Sequence, residues 1–314
     1  MTRADEEGPA AILERAASLG ARYLDGLAER RVAPDAAMRA GLAMLGGDLP
    51  EDPTDAGDVI RLLDQAASPA TVASAGPRYF GFVTGGSLPA ALGANVLAAA
   101  WDQNATLEVM SPAASTLEQV ASRWVLDLLG LPGAAAVGFT SGATMGNFTA
   151  LAAARHAVLE KTGWDVAERG LFGAPEIAVI VGDEIHASAP KALSLLGLGR
   201  SRVIRVPVDG QGRMRADRFP SIEGPAIVCL QAGNVNTGAF DPFATLCEKA
   251  HAAGAWVHVD GAFGLWALAA PGYAHLGAGL TEADSWATDC HKWLNVPYDS
   301  GLAIVRDARA LHAA

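Results

Sequence analysis

Only four lysines, Lys161, Lys191, Lys249 and Lys292, stand among the 23 basic residues of this 314-residue chain. Lys292 lies in ATDCHKWLNVPYDSG, flanked by His291 and Trp293 and followed by Leu294, Val296 and Pro297. Arginine stays protonated and cannot act as an amine nucleophile, whereas lysine can once desolvation or a neighbouring cation favours the neutral amine. The apolar run of AWVHVDGAFG ends in Asp260, a carboxylate that needs a cation or donors if it is buried. A structural aspartate capping the next turn is the plain alternative. His258 precedes Asp260 on the same strand face, and Gly261 and Ala262 follow, small enough to admit a flat object. DEIHASAPKA places His186 after another apolar run. A lone loop histidine is more often a satisfied structural residue, but the end of a strand is where a functional one would stand.

TSGATMGN (Thr140 to Asn147) leads into a helical pattern. Gly142 permits an unusual backbone there, and Ser141 and Thr144 add hydroxyls beside the free amides of a helix N-terminus, a combination that suits a phosphate. An ordinary N-cap loop would look similar. The stretch is neither a Walker loop nor the GxGxxG dinucleotide fingerprint. No HExxH or other compact ligand spacing occurs, so no metal site is expected. An amine, a carboxylate to hold a ring nitrogen protonated, an aromatic ring to stack and a phosphate cradle together form the set that pyridoxal 5'-phosphate requires.

These groups need elements to hold them. Short apolar runs at 134–140, 176–182, 202–208, 226–232, 255–260, 284–289 and 301–307 read as buried strands. Helical patterns lie between several of them, including TMGNFTALAAARHAVLE, APKALSLLG and PFATLCEKAHAAG. This alternation predicts an α/β fold with a mainly parallel sheet, in which ligands bind at the carboxyl ends of the strands. Residues 8–45, with a break beginning at Pro34, and Val59 to Ala67 read as helical, separated by the turn-rich GGDLPEDPTDAGD. The expected division is an N-terminal helical segment over 1–75 and a cofactor-binding large domain over 76–314.

Composition bounds the rest. With 51% hydrophobic and 18% charged residues, the chain is an ordered globular protein with a sizeable core. A net charge of −11 argues against general nucleic-acid or anionic-membrane binding. Cys229, Cys247 and Cys290 give neither a disulfide framework nor a CxxC pair, and a reducing, cytoplasmic setting is expected. The start MTRADEEGPAAILERA lacks the apolar core of a secretion signal. The longest apolar candidate, Ser87 to Trp101, is too short to span a membrane.

Six motifs occur in a familiar order: SPAASTLEQ (111–119), TSGATMGNFTALAAAR (140–155), HASAPKALSLLGLG (186–199), GNVNTGAFDP (233–242), HVDGAFG (258–264) and DCHKWLNVPYDSG (289–301). In these the chain resembles the group II pyridoxal-dependent decarboxylases, the family of aromatic-amino-acid, glutamate and diaminobutyrate decarboxylases, over about residues 75 to 310. The resemblance implies the fold type I, PLP-dependent transferase-like large domain. It makes Lys292 the lysine that joins the cofactor as a Schiff base, and His186 a ring-stacking residue with a part in proton transfer. Asp260 would pair with the ring nitrogen, Ala262 would touch the other ring face, and Ala143 and Thr144 would cradle the phosphate with His291 beside it. Phe82 and Thr84, in FVTGGSLP, would line the substrate pocket. A homodimer with its active site at the interface is implied too.

The chain departs from the family's pattern at Met145, where many members carry Glu, at Asn234, where Thr is usual, and at Asp289, which is Asn in some relatives and bears on the phosphate contacts. It ends 22 residues beyond Lys292, where the family continues with a mobile loop and a C-terminal small domain, so that small domain is expected to be absent. The expected function is a pyridoxal-phosphate-dependent amino-acid decarboxylase. An aminotransferase or another lyase on the same fold is the first alternative, and an inactive cofactor-binding, dimerising remnant the second.

Overall fold

The computed structural model describes residues 7–314. The chain divides into two compact units, Met1–Gly86 and Ser87–Ala314. In the first, α1 (Pro9–Asp25) is followed by α2 (Ala36–Ala40), a 3-10 turn at Gly41–Leu45 and α3 (Ala56–Ala66). The break expected at Pro34 lies within a longer interruption, since a turn begins at Gly26 and α2 starts after Asp35. Asp35 and Asp55 cap α2 and α3 by accepting from Met38 N at 2.9 Å and Asp58 N at 3.0 Å. Arg30 stacks over the Tyr23 ring at 4.6 Å, and the Tyr23 hydroxyl reaches Thr71 Oγ1 at 3.0 Å. Phe82 and Thr84 belong to this unit, and Phe82 is 95% exposed.

The second unit opens with α4 (Pro89–Trp101) and α5 (Pro112–Leu129), then β1 (Ala136–Thr140) and α6 (Ala143–Glu160). After these come α7 (Val166–Arg169), β2 (Ala178–Gly182), α8 (Ser188–Leu195), β3 (Ile204–Val206) and β4 (Ala226–Gln231). The chain continues with α9 (Phe243–Ala252), β5 (Trp256–Asp260), β6 (Ser285–Asp289), β7 (Gly301–Val305) and α10 (Ala308–His312). Among the described residues the strands form one seven-stranded sheet in the order β1-β7-β6-β5-β4-β2-β3. Pairs among β6, β5, β4, β2 and β3 are parallel, while β7 runs antiparallel to both β1 and β6. The strand expected at 202–208 shrinks to Ile204–Val206, and Pro207, which has no N–H for a ladder, follows it directly.

β2, β4 and β7 read as nearly unbroken apolar runs because both faces of the sheet are covered there. Successive side chains point to opposite faces, and two cores result. Val228, Leu230, Val257, Val259, Trp286, Leu302 and Ile304 join α5 and α9 in one. Ile227, Cys229, Trp256, Ala303 and Val305 join α6 and α8 in the other. α6 is enclosed on most sides, with Ala150, Leu151, Ala153 and Ala154 fully buried, which explains its nearly continuous apolar sequence. Gly146 permits this close seating, since a Cβ there would stand 2.6 Å from the Leu302 carbonyl oxygen. Among the described residues no helix is long and apolar enough to cross a membrane.

Candidate active site

The loops after β1, β2, β5 and β6 meet around one cavity of about 360 Å³. Its lining includes Ser141, Gly142, Ala143, Thr144, Met145, His186, Ser188, Ala262, Asp289, His291, Lys292 and Asp299. Six of the site residues read from the sequence, Ala143, Thr144, His186, Ala262, His291 and Lys292, are therefore brought together there. Asp260 lies behind this wall, 5% exposed, and reaches it through Ser188, whose hydroxyl stands 3.1 Å from Asp260 Oδ2. Phe82 and Thr84 stand in the other unit.

Asp260 is the last residue of β5, and its carboxylate is supplied with donors from three elements. Asn147 Nδ2, on α6, donates to Oδ2 at 2.9 Å, the Ser188 hydroxyl reaches the same oxygen, and Ala262 N donates to Oδ1 at 3.2 Å. A buried chain of polar groups lies behind this carboxylate. Trp256 Nε1 donates to Ser285 Oγ at 2.8 Å, Ser285 Oγ lies 3.0 Å from His258 Nδ1, and His258 Nε2 lies 2.9 Å from Asn147 Oδ1. Because the Asn147 amide nitrogen serves Asp260, its oxygen must accept from His258 Nε2–H. His258 Nδ1 is then left to accept from Ser285, so the chain is satisfied by a neutral imidazole. Burial pushes the His258 pKa down to about 4, although the Asp260 charge pulls it the other way.

His186 stands at the start of the loop into α8. Its backbone N donates to Gln231 Oε1 at 3.2 Å, and its Nδ1 lies 2.9 Å from the Ser188 hydroxyl, which joins the histidine to Asp260 through one side chain. Gln231 also donates to the Glu184 carbonyl at 3.2 Å, and its backbone N donates to buried Asp241 at 2.7 Å. Burial raises the Asp241 carboxyl to about 6, against the lowering effect of its two backbone donors.

At the other end of the cavity, Lys292 Nζ pairs with Asp289 Oδ2 at 2.9 Å. Asp289 Oδ1 accepts from Ala143 N, in the first turn of α6, at 2.5 Å and lies 3.2 Å from His291 Nε2. Ser300 N donates to His291 Nδ1 at 3.1 Å, and the ring packs against Tyr298 with centroids 4.3 Å apart. Gly142 keeps this corner open, since a Cβ there would come within 3.0 Å of His291 Cε1 and 3.2 Å of Asp289 Oδ1. Asn147, Ser188, Gln231, Ser285 and the bridging role of Asp289 are absent from the sequence reading. Their partners lie far off along the chain, 146 residues in the case of Ala143 and Asp289, where local spacing gives no signal.

The residues fit pyridoxal phosphate in kind. An amine opens on the cavity, a donor-rich carboxylate stands one hydroxyl behind it, an imidazole and a small residue line its walls, and a helix N-terminus with an adjacent histidine closes one end. A lysine and a carboxylate at the carboxyl edge of a parallel sheet are the groups that pyridoxal-dependent enzymes use. The chain belongs to the family described as the pyridoxal-dependent decarboxylase conserved domain, whose model matches residues 39–314. It is 28% identical over 272 residues to an aromatic-L-amino-acid decarboxylase of Bacillus atrophaeus, covering 84% of this chain and 54% of that protein. It is 33% identical over 225 residues to an L-2,4-diaminobutyrate decarboxylase of Rhizobium meliloti (strain 1021), covering 69% of this chain and 43% of that one. The fold matches the crystal structure of Oryza sativa TDC with PLP and tryptamine at a TM-score of 0.86 and 23% identity, over 99% of this chain and 66% of that one. The chain thus spans about half the length of the curated relatives it matches.

Proposed function

We propose that the protein is a pyridoxal-phosphate-dependent amino-acid decarboxylase, a carboxy-lyase with its cofactor held on Lys292. The observation that carries this reading is the gathering of Lys292, His186, Ala262, Ala143, Thr144 and His291 around one cavity, with the Asp260 carboxylate joined to it through Ser188. Lys292 is the residue to hold the cofactor covalently, Asp260 its ring nitrogen, and Ala143, Thr144 and His291 its phosphate. When bound, pyridoxal phosphate supplies a sink for the electron pair left at the substrate α-carbon as carbon dioxide departs. Asn147 and the Ala262 amide keep Asp260 oriented, and this carboxylate is the group to pair with a protonated ring nitrogen. Ser188 fixes the His186 ring through Nδ1 and leaves its other nitrogen as the atom to hold or move a proton. His186 and Ala262 are proposed to lie on the two faces of the ring.

Phe82 and Thr84 are proposed to line the substrate pocket, supported by the likeness of FVTGGSLP to a family segment and by the exposure of both side chains. A homodimer is proposed on the exposed apolar surface of the second unit, where Leu97 is 51%, Trp101 53% and Trp124 71% exposed, since apolar patches of that kind mark interaction surfaces. A cytoplasmic location is proposed on three free, buried cysteines. The test is a panel of amino acids incubated with the cofactor-loaded protein and assayed for carbon dioxide and for keto acid. Carbon dioxide with the matching amine supports the decarboxylase. Keto acid without carbon dioxide would make the protein an aminotransferase, and bound cofactor with no turnover would make it a binding remnant.

A further inference from the structure

α6 begins without a local cap. Its N-cap residue is Gly142, which has no side chain to offer, and the acceptor for Ala143 N–H is instead the Asp289 carboxylate at the end of β6. The same carboxylate takes Lys292 Nζ at 2.9 Å on its second oxygen and lies 3.2 Å from His291 Nε2 on its first. Asp289 is 4% exposed and its backbone is pinned on both sides, with its N donating to the Ala262 carbonyl at 2.9 Å and its O accepting from Trp266 Nε1 at 2.9 Å. With the backbone held, any departure of the carboxylate from these donors is a side-chain rotation.

Resting on the cofactor reading above, two of these three donors are the ones a phosphate would claim, and the third is the amine that would hold the cofactor. A carboxylate and a phosphate cannot both accept from Ala143 N–H, and like charges set side by side are strongly disfavoured. An amine engaged by a carboxylate at 2.9 Å is also not free to approach a carbonyl carbon. We propose that Asp289 is a built-in anion that occupies the phosphate cradle and restrains Lys292, so that cofactor loading is an exchange of anions. The incoming phosphate displaces the Asp289 carboxylate from Ala143 N–H and His291, and the displaced side chain releases Lys292. An asparagine at this position would leave the same cradle with one negative charge fewer.

The test compares the full chain with Asp289→Asn and Asp289→Ala, each first checked for a cooperative thermal transition. Inorganic phosphate is titrated by calorimetry, and pyridoxal 5'-phosphate by its absorbance. The exchange predicts that both variants bind inorganic phosphate at least about tenfold more tightly than the parent chain, with a faster approach to full cofactor loading. A gain in the alanine variant shows that loss of the charge is responsible, not a new amide contact, and that variant carries the test alone if the asparagine variant does not fold. Equal or weaker phosphate binding by the variants would show that Asp289 supports the cradle, and would overturn the inference. Phosphate that binds none of the three proteins would overturn it as well. If pyridoxal 5'-phosphate binds none of them, the cofactor reading fails, while the inorganic phosphate titration still decides the role of Asp289.

Discussion

His258 gives the fold an acid-sensitive element whose size follows from its surroundings. The imidazole is fully buried between Ser285 and Asn147, and the hydrogen bonds that surround it fit the neutral ring. Its folded pKa is depressed to about 4 from an ordinary value of 6.5. Between those values the folded state binds fewer protons than the unfolded state, so stability rises with pH across the window. The contribution is complete above about pH 6.5 and is lost as pH falls from there towards 4, below which it no longer changes. Each pKa unit corresponds to about 1.4 kcal/mol, so this one histidine accounts for on the order of 3 kcal/mol. The perturbation is His258→Gln, and the assay is urea unfolding of both proteins at steps from pH 7.5 to 4.5. The variant is less stable than the parent at neutral pH, because Ser285 and Asn147 lose a well-placed partner. The gap between the two narrows by most of that amount as the solution is acidified. A gap that stays constant across the whole range would refute the reasoning, because His258 would then titrate alike in the folded and unfolded chains.

Gly146→Ala is expected to lose about 1–3 kcal/mol in the same unfolding assay, since the new methyl meets the Leu302 backbone and α6 must shift away from β7; unchanged stability would mean that the contact is soft. Burial raises Cys229 and Cys247 to about 12 and Cys290 to about 11. A thiol reagent at pH 8 should therefore leave all three unmodified until denaturant is added, and rapid labelling of the native protein would contradict this. Asp260→Asn should retain cofactor but slow turnover by orders of magnitude, as read from carbon dioxide release, whereas near-normal turnover would give the ring nitrogen another partner.

The positions of Lys292, Asp260 and His186 were legible because each ends or closely follows a strand-like run, and in a parallel sheet the ends of such runs converge on one edge. The chemistry around them was much less so. Asn147 reads locally as an ordinary helix residue, yet it joins His258 to Asp260 across two elements. His258 is visible on the face it shares with Asp260, but its partners, Asn147 and Ser285, are set by the packing of α6 and the register of β6. Asp289 reads as the end of a strand, and only the folded chain shows that it closes on both α6 and Lys292. α5 is hard to read as a helix from the sequence, although Ser111 caps it and Gly130 ends it in a left-handed turn. Its exposed Leu117, Trp124 and Leu128 blur the apolar stripe that would have given it away.

The proposed chemistry depends most on Lys292 as the residue that holds the cofactor. Incubating the protein with pyridoxal 5'-phosphate, reducing it with borohydride and mapping the peptides by mass spectrometry tests this directly. The predicted result is a single stable adduct on the peptide carrying Lys292, with the adduct lost in Lys292→Ala. An adduct on Lys191 instead, or no adduct on any of the four lysines, would contradict it.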